Sequence, residues 1–380
     1  MSMKRFSQRR GETPPGQTGS GTGRECLGLY TASVNRRWCG SVRARYNYAG
    51  GSMRVASNGR AVQREKILSR DKIRIKRSGF PVEHRAVSDP MTRLRLLPIP
   101  RVENLTAAEF QKLYLEPNRP VVIKNLASSW PALRKWTPEY FTREYGSLQV
   151  KVYDASFTQA GTSYMSSLKK VPFKEFLNVM TTSSTDLRLF AFNIFWQAPE
   201  LKKDILIPDI ASGISKKFIF MFFGCKGSVT PLHYDPDLPH LFHTVLHGKK
   251  RVVLFPNDES RNLYKHPFNT RSYVDVDHPD FDKFPRLKNV TGYQELLYPG
   301  ETLFMPSGYW HHMVYEEGGY AVCTRCSHLP MAKKLRGYLN MMVFFPIDKL
   351  MNSLIPERWF HWKEARARAQ RSVTLKKRWT

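Results

Sequence analysis

An all-β core with flanking helices, built as a sandwich or barrel, is the fold class this 380-residue sequence predicts. Three observations predict it. Between residues 217 and 326 short apolar or alternating runs follow one another, separated by Gly- and Pro-containing turns, the pattern of many short strands. The clearest helical spacing lies on either side of that stretch. Hydrophobic residues make up 41% of the chain and aromatics 13%, enough to fill a core.

The elements can be taken in order. Residues 1–90 lack apolar periodicity and are rich in Gly, Ser, Thr and Arg, so they are expected to be a disordered basic leader. The run REKILSRDKIRIKR at 64–77 would be a short basic helix or strand. Order is expected from about residue 91, near Leu96. Thr106 with Glu109 three residues on is a capping box opening a helix to about Leu115. Residues 119–124 predict a buried strand, 136–141 a helix start, 149–153 a strand, 173–180 a helix and 187–196 a strand. Four strands follow, at 217–225, 229–235, 241–247 and 250–255, and 257–264 is expected to be helical. Residues 265–293 read as a long polar surface excursion. A hairpin through Pro299-Gly300 is expected next, then strands at 310–315 and 320–326. From 331 to 380 the pattern changes to C-terminal helices and a basic tail. Leu335, Leu339, Met342 and Val343 repeat at helical spacing, and Pro346 is expected to break the run.

Charge limits the partners. The net charge is +28, and the first hundred residues hold about 21 Lys/Arg against about 6 Asp/Glu. Such a balance favours polyanions and says nothing of fold. The five cysteines are odd in number and do not make a disulfide framework, which favours a reducing compartment. No apolar run approaches the ~18 residues of a membrane span, so no membrane role is expected. An intracellular place follows, cytoplasmic or nuclear, and the Arg-rich leader leaves organelle targeting open.

Two segments carry chemistry. In VTPLHYD, read as a strand, His233 and Asp235 share a face, because alternate residues of a strand do. A third ligand from PSGYWHH would complete a 2-His-1-carboxylate set, the arrangement of non-haem Fe(II) oxygenases. His311 and His312 compete for that place, and strand geometry admits only one of them. Lys250 lies on a strand face with Val252 and Leu254. A lysine there points inward, where an unpaired charge is costly, so it calls for an anion; a lysine snorkelling from the strand end is the plainer alternative. His240, His243 and His247 have spacings that a strand would scatter between faces. Cys323 and Cys326 read as core packing, since one CxxC lacks the second pair a zinc site needs. Asp275, Asp277, Asp280 and Asp282 read as a solvated acidic loop, with contact to a basic substrate the alternative.

From about Leu97 to Pro330 the sequence resembles the JmjC/cupin-like family of Fe(II)- and 2-oxoglutarate-dependent oxygenases. The runs that carry the resemblance are NRPVVIKNLASSWPALRKWTPEYF, VTPLHYD, HGKKRVVLFP, VDVDHPDFDKFP and PGETLFMPSGYWHH, in family order. The branch is similar to the asparaginyl hydroxylases and tRNA wybutosine hydroxylases. The resemblance implies a double-stranded β-helix, or jelly roll, with Fe(II), 2-oxoglutarate as co-substrate, and O2. It implies His233, Asp235 and His311 as metal ligands and selects His311 over His312. Lys250 and Thr230 would bind the far carboxylate of 2-oxoglutarate, and Thr324 and His243 would lie near the co-substrate. Phe190 falls where several relatives have a tyrosine, and His243 and Cys326 where others have an asparagine. The implied activity is hydroxylation of a macromolecule, a protein side chain or an RNA base. RNA contact through the leader and tail and a homodimer through the C-terminal helices are further expectations. A non-catalytic metal-binding or interaction protein and a small-molecule hydroxylase are the alternatives.

Overall fold

In a computed structural model of the chain, residues 93–154 and 167–370 are described. The leader, with its 64–77 run, and the tail beyond 370 lie outside them. The described residues all lie within one compact unit, Val82–Thr380.

Its first strands are β1 (Arg95–Pro98), β2 (Arg101–Val102), β3 (Val121–Ile123), β4 (Gln149–Val152), β5 (Lys169–Pro172) and β6 (Arg188–Phe192). The strands β7 (Ile214–Gly224), β8 (Val229–His233), β9 (His240–His247), β10 (Lys250–Phe255), β11 (Thr291–Leu297), β12 (Thr302–Met305), β13 (Trp310–Tyr315) and β14 (Gly319–Cys326) follow. One sheet has the order β1-β11-β10-β13-β8, the other β2-β3-β12-β9-β14-β7-β6, and β4 and β5 form a separate ribbon. The eight strands β7 to β14 thus divide four and four between two sheets, and the chain crosses from one sheet to the other at almost every step. This is the jelly roll, with strands closed over one another so that few edges remain.

The helices are α1 (Ala107–Phe110), α2 (Ala132–Lys135), α3 (Pro138–Tyr145), α4 (Phe173–Thr182), α5 (Met331–Leu339), α6 (Phe345–Leu354) and α7 (Pro356–Ala369). The Thr106–Glu109 capping box opens α1 as expected, and one wider turn carries it on to Leu115. Thr137 caps α3 by accepting from the Tyr140 amide. Phe141 of α3 and Phe173 of α4 pack edge-on to Phe223 of β7, covering the outer face of the second sheet. No helix among the described residues is long and apolar enough to cross a membrane.

Several expectations need correction. Residues 265–293 are not a surface excursion. Val274, Val276, Phe284, Leu287 and Val290 join Leu232, Val253 and Trp310 in one buried cluster. Their apolar spacing is irregular because the segment is held by turns, which leave no period to read. The Pro299-Gly300 turn does not make a hairpin: β11 belongs to one sheet and β12 to the other. The 187–196 strand ends at Phe192, and a 3-10 turn, Ile194–Trp196, follows it. The helix expected at 257–264 is a 3-10 turn, Asn257–Arg261. Pro346 does not break its run. It stands in the first turn of α6, where a proline's missing N–H costs least, and the break comes at Ile355.

The C-terminal helices are seated on the 265–293 segment by buried polar groups. Asp348 accepts from Lys363 Nζ at 2.6 Å, Trp359 Nε1 at 2.8 Å and Asn269 Nδ2 at 2.6 Å. Arg286 donates to the carbonyls of Ala367, Arg368 and Gln370 at the end of α7, where the helix dipole favours a cation.

Candidate metal centre

β13 and β8 place the two histidines. His311 is the cross-strand partner of His233, and Met313 that of Thr230. One residue on β13, His312, therefore faces two on β8, Pro231 and Leu232, a β-bulge. The bulge turns the chain by one residue, so His233 and Thr230, three apart, both face the interior with His311 and Met313. The inward place expected for Thr230 follows from that bulge rather than from simple alternation. Asp235 is not on the strand as expected. β8 ends at His233, and Asp235 opens the following turn, in which its carbonyl accepts from the Leu238 amide at 3.0 Å.

The three side chains converge. The Nε2 atoms of His233 and His311 each lie 3.9 Å from Asp235 Oδ1, and the two rings are 4.2 Å apart. All three donor atoms lie within 4.8 Å of one another, a group that could hold a metal ion. His233 Nδ1 is 2.8 Å from the Pro231 carbonyl, and His311 Nδ1 is 3.2 Å from that of Tyr309. A neutral imidazole donating through Nδ1–H keeps its Nε2 lone pair free, which is how backbone carbonyls orient metal-binding histidines. Burial, helped by the neighbouring His311, pushes His233 down to about 3; burial also lowers His311. Both rings are neutral at ordinary pH, the form a metal requires.

One functional residue was missed in the sequence. Arg325 on β14 donates to Asp235 Oδ2, and at 3.0 Å to Asp237 Oδ1. Burial pushes the Asp235 carboxyl up, but the Arg325 guanidinium beside it counters this, and the carboxyl is held below its usual range. With Oδ2 engaged, Oδ1 alone faces the imidazoles. The signal was available, since Arg325 is two residues from Cys323 on a strand whose inner face is buried.

His312 goes to the other face. Its Nε2 is 3.0 Å from Asp277 Oδ2, which also faces Arg251. Asp277 is thus paired on the fold rather than free in solvent. Asp275 and Asp280 accept from backbone amides two and three residues on, so they shape their own turns.

Lys250 is buried and inward, as expected. Its Nζ lies 3.1 Å from His243 Nε2 and 3.3 Å from the Tyr315 hydroxyl. Burial pushes the ammonium down to about 7. His243 therefore stands beside Lys250, though it comes from the other sheet. Thr324 does not join them. It is paired with Phe242, which packs on Phe110 and Phe304 in a separate cluster, while Cys323 is paired with His243. Strand alternation turns Thr324 to the outer face and Cys323 and Arg325 to the inner one. Cys326 also lies outward, donating its thiol to the Ser212 carbonyl at 3.1 Å. His240 accepts from the Ser307 amide, and His247 stacks on Tyr320, so the histidines of β9 form no cluster. Phe190 stands 5.5 Å from Phe222 and 6.4 Å from the His233 ring, an apolar wall beside the triad.

A jelly roll with two histidines and one carboxylate converging in its interior defines the cupin-type metal proteins. Residues 107–330 match the cupin-like domain family, and the chain belongs to that family. It is similar to lysine-specific demethylase 8 of Xenopus tropicalis, 33% identical over 227 residues, or 57% of this chain and 49% of the relative. JmjC domain-containing protein D of Dictyostelium discoideum is 35% identical over 234 residues, 53% of this chain and 50% of the relative. The tRNA wybutosine-synthesizing protein 5 of Gallus gallus is 27% identical over 254 residues, 61% of this chain and 78% of the relative. The chain spans about half the length of the first two. JmjC members of this family use Fe(II), 2-oxoglutarate and O2, and the His-Asp-His donor set suits that ion.

Proposed function

We propose that this protein is an Fe(II)- and 2-oxoglutarate-dependent oxygenase that hydroxylates a macromolecule, with His233, Asp235 and His311 as ligands. The observation that carries the reading is the pairing of that triad with a buried Lys250 that shares the inward face of its sheet with His311 and has no carboxylate partner among the described residues. A metal-binding protein of another kind has no need of a buried cation there, whereas a chelating dicarboxylate does. His233, Asp235 and His311 would hold the ion, and the ion would take up the co-substrate and O2. Lys250 and Thr230 hold the far carboxylate, and His243 fixes the lysine. Phe190, Phe222 and Met313 keep that space apolar.

Bound iron supplies the activation of O2 that a protein side chain cannot. The overall change converts substrate C–H, O2 and 2-oxoglutarate to C–OH, succinate and CO2. The chain's own contribution is to keep the imidazoles neutral, hold Asp235 by one oxygen and exclude water. The names of the relatives support both a lysine side chain and a tRNA base as substrate types. The +28 charge suits RNA or an RNA-bound protein. A second copy of the chain is the partner proposed for the exposed face of α5 and α6.

Succinate release from 2-oxoglutarate with Fe(II) tests the reaction. Mass spectrometry of RNA and protein from cells with and without the gene tests the substrate. A gain of one oxygen marks stable hydroxylation, and loss of a methyl group with formaldehyde release marks hydroxylation at a methyl-nitrogen. Iron binding without succinate would make the chain a binding protein. Succinate with unchanged RNA and protein would point to a small molecule.

A further inference from the structure

Tyr315 is a buried phenol that stands against Lys250. It lies on β13 four residues beyond His311 and is the direct cross-strand partner of Lys250. Positions four apart on a strand share a face, so the strand that presents a triad histidine also presents this phenol. The Lys250 ammonium sits 4.4 Å from the centre of the Tyr315 ring and 3.3 Å from its hydroxyl. Room for the ring is made at Gly224, where a Cβ would stand 2.4 Å from two ring carbons. The chain therefore keeps a bare backbone on β7 to admit this side chain.

The hydrogen bonding is incomplete in a directional way. Lys250 gives one proton to His243 and one to the Tyr315 oxygen, and retains a third. The phenol accepts from the lysine, and its own O–H has no acceptor among the described residues. Burial raises the phenol far above its ordinary value, so it remains a donor. No carboxylate among the described residues pairs with Lys250, so an ammonium and a phenolic donor meet there without an anion, an arrangement suited to a carboxylate.

We propose that Tyr315 is the phenol that binds the far carboxylate of the co-substrate together with Lys250, in place of a hydroxyl from β6, where this chain has Phe190. The proposal rests on the oxygenase reading above. It turns the Phe190 departure from a lost hydrogen bond into a relocated one. The donor moves from the wall beside His233 to the strand that carries His311, and Phe190 becomes wholly apolar lining.

The test uses the full chain loaded with Mn(II) under anaerobic conditions, with ligand affinity read by calorimetry. Tyr315→Phe is expected to weaken 2-oxoglutarate about tenfold, the loss of one hydrogen bond to a charged group. Its Mn(II) affinity stays unchanged. The same variant is expected to bind 2-oxobutyrate, which lacks the far carboxylate, as the parent protein does; a general packing defect would weaken both. Phe190→Tyr is expected to do little alone and to recover much of the loss in the Tyr315→Phe background. Equal 2-oxoglutarate binding by Tyr315→Phe and its parent would overturn the proposal and leave the oxygenase reading standing. No 2-oxoglutarate binding by the parent would instead remove the oxygenase reading itself. If Tyr315→Phe does not fold, Phe190→Tyr alone decides: a tenfold gain in affinity means the phenol was absent, and no gain means it was already supplied.

Discussion

The two histidines of the Trp-His-His run differ in what they face, and that difference can be measured. His311→Ala should abolish Mn(II) binding, as should His233→Ala and Asp235→Ala, because each removes a converging donor. His312→Ala should leave metal affinity intact and lower stability by about 1–3 kcal/mol, since Asp277 loses a buried partner. Arg325→Met should weaken the metal by roughly 10–100-fold without touching a ligand, through release of Asp235 Oδ2. Calorimetric titration with Mn(II) distinguishes these outcomes; full metal binding by His311→Ala would reject the triad. Lys250 carries the pH dependence. The groups facing it are His243 from β9, Tyr315 from β13, Cys323 from β14 and Arg188 from β6, none of them an acid. Burial holds it at about 7 without ligand, and a bound carboxylate favours the charged form. The KM for 2-oxoglutarate should then be flat below pH 7 and rise above it, by up to about tenfold per unit. Lys250→Met should remove that slope. A KM that falls on going from pH 7 to 8 would contradict the assignment.

At the scale of elements, what was legible in the sequence follows from how local each signal is. The triad residues stood out because their motifs are short and their strands strongly apolar. His311 could be separated from His312 only through resemblance, because both lie on a fully buried strand. Thr324 was misplaced for a related reason. With every neighbour on β14 apolar or polar without alternation, only its pairing with Phe242 shows which face it takes. The 265–293 segment was misread because its core residues are held by turns and by distant partners. Asp348, Lys363 and Asn269 are up to 94 positions apart in the chain and meet only after folding. That cluster gives an element-scale prediction. Asp348→Ala leaves Lys363 buried without its carboxylate and should cost about 3–5 kcal/mol. Adding Lys363→Met should recover a large part, because the orphaned charge goes with it. Denaturant unfolding of the single and double variants measures this, and additive losses would mean that the pair does not couple.

On the scale of the whole molecule, two features pull in opposite directions. The chain carries +28, which drives copies apart and draws polyanions in. The α5–α6 face is different: Leu335, Tyr338, Met342, Leu350 and Leu354 are each more than half exposed, although the other side of these helices is held through buried Asn340 and Asp348. A face with few charges that is rich in Leu and Met can meet its own copy without like-charge repulsion, and few surfaces of so basic a chain can. The two proposed kinds of association should then respond oppositely to salt. Binding to RNA releases counterions and should weaken steeply as salt rises. Self-association through an apolar face should hold or tighten, because salt screens the repulsion between copies. Sedimentation of the full chain from low to moderate salt, with and without RNA, reads both at once. Leu335→Glu with Met342→Glu is expected to yield monomers whose Mn(II) and RNA affinities are unchanged. Dimers that dissociate as salt rises would instead show that charge pairs hold the copies together, and α5 and α6 would no longer be the surface between them.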